Sequence, residues 1–141
     1  METTGMNKHI ALALLTLAAS AGIGVTAAQA EQAGIQRHEA LRHDLDTPGR
    51  EFIQVRVDFA PHASFGLHTH PGIEVAYVLE GTVTYTFDDQ PPVTLKAGQS
   101  LYIPAGQVHA AHNPGAANAA ELATYLVEKG KPVVVLKPTS P

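Results

Sequence analysis

His68 and His70 are separated by one residue, and Glu74 follows four positions after the second histidine. On an extended strand, residues i and i+2 point to the same face, so both imidazoles can reach one point in space. Pro71-Gly72 then turns the chain. The turn lets Glu74 return on the neighbouring strand with its carboxylate aimed at that same point. A fourth donor has to come from elsewhere. His109 is a good candidate, because it follows the turn Pro104-Ala105-Gly106 and begins a short strand of its own. Three neutral imidazoles and one carboxylate leave a divalent ion with one net positive charge. Mixed nitrogen and oxygen donors suit Fe, Mn, Co, Ni, Cu or Zn without selecting among them. Four donors close a tetrahedron but leave an octahedral ion open to water, dioxygen or a substrate oxygen. The plainer alternative is that these histidines are hydrogen-bonded core or surface residues, as single histidines usually are.

The elements that would position such a site are strands. Ile53, Val55, Val57 and Phe59 alternate with Gln54, Arg56 and Asp58, a period of two with one buried face. Short extended runs follow at 67–70, 73–79, 83–87, 93–95, 101–103, 108–112, 122–128 and 133–136, with Gly, Pro, Asn and Asp between most of them. The spacing predicts an all-β chain of eight or more short strands. Closure into a barrel or a double-sheet jelly roll buries one face of each strand and protects the sheet edges. Residues 35–45 hold a first strand with broken alternation, and 116–120 fits a loop or a strand edge.

Composition narrows the function classes. The 141-residue chain has a formal net charge of −4 and no cysteine, which excludes disulfides, thiolate ligands, a cysteine nucleophile and lipoprotein attachment. Basic residues are scattered, so neither nucleic acid nor an anionic membrane surface has electrostatic support. Residues 1–30 read as a secretory signal peptide. Lys8 and His9 precede an uncharged run over 10–25, and Ala28-Gln29-Ala30 offers small residues before Glu31. An uncleaved anchor is the alternative, but the run is short and interrupted by Gly22 and Gly24. Residues 31–141 then form one domain, periplasmic or secreted.

His68-Thr69-His70, three residues, Glu74, six residues and Gly81 resemble the first motif of the cupin family from its first histidine onward. Gly98, five residues, Pro104-Ala105-Gly106, two residues, His109, three residues and Asn113 resemble the second motif at every fixed position. One position departs: His62 stands where the first motif usually opens with glycine. The resemblance covers about residues 55–128 and implies a double-stranded β-helix with one divalent transition metal ion (Fe, Mn, Ni, Zn, Cu or Co) inside its mouth. Carried over by position, His68, His70, Glu74 and His109 are the metal ligands. Gly81, Gly98, Pro104, Gly106 and Asn113 are turn positions. A homodimer is also implied.

Two functions fit. One is a metal-dependent enzyme on a small organic molecule, of dioxygenase, isomerase, decarboxylase or lyase type, with Glu74 doubling as catalytic base. The other is a non-catalytic module that binds a metal or a ligand. Tyr77, Tyr85 and Tyr102 are further polar candidates, although strand parity puts Tyr77 opposite Glu74. His112 has the opposite parity to His109 and faces away, while His38, His43 and His62 carry no assigned role.

Overall fold

The computed structural model describes residues 32–138. Residues 1–30, the segment expected to be a signal peptide, lie outside the described residues. Ten strands follow in order: β1 (Ile35–Asp44), β2 (Arg50–Phe59), β3 (Ser64–Thr69), β4 (Gly72–Glu80), β5 (Thr82–Phe87), β6 (Val93–Lys96), β7 (Ser100–Ile103), β8 (His109–His112), β9 (Ala119–Glu128) and β10 (Val135–Leu136). Alternation makes these strands. In β2 the residues of one parity, Ile53, Val55, Val57 and Phe59, are all buried, while their neighbours reach the surface.

The strands form two antiparallel sheets, ordered β1-β2-β9-β4-β7 and β10-β3-β8-β5-β6. The chain changes sheet after β2, β3, β4, β6, β7, β8 and β9, which is the double-stranded β-helix that the family resemblance implied and a form of the double-sheet closure expected from the spacing. The inner faces meet in a core that includes Ile53, Phe59, Val78, Val83 and Ile103. On the outer face of the first sheet, Ile73 lies opposite Leu126, Tyr77 opposite Leu122 and Val75 opposite Tyr102.

Several elements differ from the sequence expectation. Strand β1 is ten residues long, and a register shift between Glu39 and Leu41 explains its broken alternation. Strand β9 starts at Ala119, so the alanine-rich stretch is loop first and strand afterwards. Strand β10 is reduced to Val135–Leu136. The largest difference concerns Glu74. It does not return on a strand beside the histidines; β3 and β4 belong to opposite sheets, and Glu74 faces His68 across the interior.

His62 occupies its turn with a φ of 61°, the left-handed conformation that glycine adopts freely. The glycine of the family motif is missing, but the backbone shape it serves is kept. Replacing His62 with glycine is therefore expected to stabilise the fold by about 1 kcal/mol, raising the melting temperature by about 4–8 °C. Calorimetry checks this, and an unchanged or lower melting temperature contradicts the strain argument.

Candidate metal centre

His68 and His109 are directly opposite each other in the β3–β8 pairing. His70 lies just beyond the end of β3, and Glu74 enters from β4 in the other sheet. All four residues are buried, and their donor atoms lie within 4.8 Å of one another. The structure thus brings together the four residues expected from the spacing.

Backbone carbonyls orient all three rings. His68 Nδ1 lies 2.8 Å from the Gly66 oxygen, and His109 Nδ1 lies 2.9 Å from the Gln107 oxygen. His70 Nδ1 bonds the Val133 oxygen. A carbonyl can only accept, so each Nδ1 carries the proton and each Nε2 turns a lone pair toward the centre. Turn residues support this arrangement. Gly106 N donates to the His70 oxygen at 3.1 Å. The buried Asn113 amide donates to the carbonyls of Ala60 and Ala117, tying the β8–β9 connection to the end of β2.

The centre then contains a conflict. His70 Nε2 and Glu74 Oε2 are 2.8 Å apart, and His109 Nε2 is 3.3 Å from the same oxygen. With the protons on Nδ1, these contacts set lone pair against lone pair. Accordingly, His70 Nε2 and Glu74 Oε2 are buried with no hydrogen-bond partner, a costly state for polar atoms. Either the imidazoles are doubly protonated or a cation sits among the four donors. Burial, reinforced by the positive charge that His109 and His70 would carry, pushes His68 down to about 3. Burial alone would raise the Glu74 carboxyl, but His109 and His70 beside it hold it below the ordinary carboxylate range. A neutral His68 and an ionised Glu74 are the states in which these groups ligate metal. The donor set and its unpartnered atoms fit one divalent transition ion.

Beside the cluster lies a small, partly open cavity. Its wall holds polar residues that no motif marked. Glu121, on β9, is buried, and the Tyr85 hydroxyl donates to its Oε2. Burial and the nearby charge of Glu74 push Glu121 up to about 8, against the pull of Tyr85 and Arg37. Burial and Glu121 likewise keep the Tyr85 hydroxyl protonated. The Tyr125 ring packs 4.7 Å from that of His70, centre to centre. Arg37, on β1, reaches the Tyr125 hydroxyl at 3.5 Å.

Of the tyrosines considered from sequence, Tyr85 lines this cavity, whereas Tyr77 and Tyr102 are exposed on the outside. His112 faces away, with Ala111 buried beside it. Glu121 shares strand parity with Ala123, Tyr125 and Val127. A carboxyl at that parity, on an otherwise apolar face, was the available signal.

The family model for the cupin domain matches residues 55–135. Germin-like protein 1 of Brassica napus is 40% identical over 75 residues, covering 50% of this chain and 36% of that protein. Germin-like protein 5-1 of Oryza sativa subsp. japonica is 34% identical over 113 residues, covering 73% and 46%. The chain therefore spans less than half the length of these curated relatives. Among solved structures, a double-stranded β-helix protein of Klebsiella pneumoniae superposes with a TM-score of 0.62 at 20% identity, covering 76% of this chain and 87% of that one. A recombinant oxalate oxidase in complex with glycolate gives 0.61 at 24% identity, covering 73% and 55%. A polyketide cyclase of Streptomyces resistomycificus gives 0.61 at 22% identity, covering 77% and 75%. These structures share the fold.

Proposed function

This chain belongs to the cupin family, and from that premise we propose that it is a metal-dependent enzyme acting on a small organic molecule. His68, His70, His109 and Glu74 hold one divalent ion. The observation that carries the enzyme reading is Glu121. It is a second buried carboxyl in the same cavity, outside the ligand cluster and partnered by Tyr85. A structural metal site has no use for it. An acid–base reaction does, because a carboxyl pushed up to about 8 holds its proton at neutral pH and can exchange it.

The ion, when bound, supplies Lewis acidity that stabilises negative charge developing on a substrate oxygen. The chain's own residues divide the remaining work. The carbonyls of Gly66, Gln107 and Val133 keep the three imidazoles in one tautomer. Tyr85 fixes the Glu121 carboxyl, which gives or takes a proton at its free oxygen. That assignment relieves Glu74 of the base role considered from sequence, because its Oε2 faces His70 and His109. Phe65 and Val134 keep part of the cavity wall apolar. Glycolate in the oxalate oxidase relative and the cyclase neighbour support small-molecule chemistry without choosing a reaction.

Glu121→Gln is expected to retain full metal content while turnover falls about 100-fold or more. The assay is oxygen uptake and absorbance change across a panel of small enols, diketones, phenolics and hydroxy acids. X-ray absorption on the loaded protein should count more than the four protein donors. A closed four-coordinate ion, with no turnover of the panel, returns the non-catalytic binding module instead. Export on the leader at 1–30, and pairing of two copies across the apolar outer face of the first sheet, belong to the same proposal. Light scattering on the purified protein reads the pairing, and mass spectrometry of exported protein reads whether it starts at Glu31.

A further inference from the structure

The arginines of the described chain are not used alike. Arg42 pairs with Glu39 and Glu51 at 2.8 Å, and Arg56 pairs with Asp58 at 2.7 Å. Arg37, like the exposed Arg50, enters no ion pair with the described residues. Its guanidinium instead lies 5.6 Å from the centre of the Phe65 ring and 3.5 Å from the Tyr125 hydroxyl. Both partners line the cavity, and so does Arg37. Parity accounts for this placement: Arg37 is opposite Val57, whose side chain is buried on the inner face of β2. A guanidinium turned inward, stacked on an aromatic face and short of a carboxylate has unused donors in a fork geometry.

The charge of the cavity points the same way. Arg37, a divalent ion, Glu74 and an ionised Glu121 together leave one net positive charge, and protonation of Glu121 adds another. A cleft with that surplus and low-dielectric walls favours an anion. The cavity is small and partly open, so the anion it favours is a small one.

We propose that the cavity takes a small organic carboxylate, held through its carboxylate by the Arg37 guanidinium and the Tyr125 hydroxyl, with its other end facing Glu121 and the histidine cluster. Arg37 is then the residue that selects acids over neutral analogues. Tyr125 bridges the anchor to the cluster, since its ring packs on His70 and its strand position is directly opposite Glu74. The inference rests on the enzyme reading for the reaction, but the anchor itself is a binding claim that can be tested apart from turnover.

The test uses zinc-loaded full-length protein and matched probes: glycolate against glycolamide, and lactate against lactamide. Calorimetric titration should show at least one acid binding about tenfold or more tighter than its amide, the preference expected of a charged hydrogen bond. Arg37→Gln should erase that preference with zinc content unchanged, and Arg37→Lys should keep part of it. Binding of no acid overturns the proposal, as does an Arg37→Gln protein that still prefers acids. If the protein takes up no zinc, the metal assignment fails separately. The same comparison on the metal-free chain then decides the anchor: preference lost in Arg37→Gln supports it, and preference retained or absent overturns it.

Discussion

Replacing His68 and His70 together with alanine is expected to abolish stoichiometric binding of a divalent ion, while His112→Ala leaves it intact. The two lost rings supply two of the four donors, and their Nε2 atoms have no other task. His112 is on the outward parity of β8. In the unmutated protein, an ion at a thousandfold over its Kd adds about 4 kcal/mol to stability, which for a domain of this size exceeds about 10 °C in melting temperature. The double variant should show no such shift. Elemental analysis and paired melting curves with and without ion measure both effects, and unchanged metal in the double variant removes the site assignment. Acid sensitivity follows with a definite sign. In the unfolded chain His68 takes a proton near 6.5, whereas in the metal-free fold it does so only near 3. The unfolded state therefore binds more protons across that window. The His68 contribution is fully present above about 6.5 and is lost progressively as pH falls toward 3.

Gly72→Ala is expected to be the most damaging single change in the sheets. A Cβ at this position would lie 2.0 Å from the Leu126 carbonyl oxygen and 2.8 Å from the Val127 Cα. Both obstacles are backbone, so no rotamer change relieves them, and β4 must separate from β9. A cost of about 3 kcal/mol or more is reasonable for overpacking that backbone cannot absorb. Glu74 sits two residues further along the same strand, so metal affinity should fall with stability. Gly66→Ala is the control, since a Cβ there meets only the Gln32 side chain at 3.5 Å. If Gly72→Ala melts within a degree or two of the parent, the close approach does not constrain the sheet.

The ligand cluster was legible in the sequence because each ligand is tied to a local feature. His68 and His70 share a parity, Glu74 follows a Pro-Gly turn, and His109 follows Pro104-Ala105-Gly106. The sheet to which Glu74 belongs was not legible. A two-residue turn reads equally well as a hairpin or as a crossing between layers, and only the partner strands β9 and β7 decide it. Arg37, Glu121 and Tyr125 lie on strands without a motif and meet only through the wrapping of the two sheets. The register shift in β1 also masks the parity that turns Arg37 inward. Pattern reading assigns faces strand by strand, but which inner faces share a cavity is settled by tertiary packing.

The carbonyl that orients His70 belongs to Val133, on the segment that leads into β10. That segment also pairs Val135 with Thr69 and Leu136 with His68, and Lys137 N bonds the Leu67 oxygen at 2.8 Å. Strand β10 and the segment before it therefore seat the first two donors. During translation all four donors emerge well before Val133 does. A nascent or clipped chain that lacks this strap would present the complete donor set with His70 free to rotate. Removal of this segment is then expected to weaken ion binding through His70, which links the centre to the β10 strap.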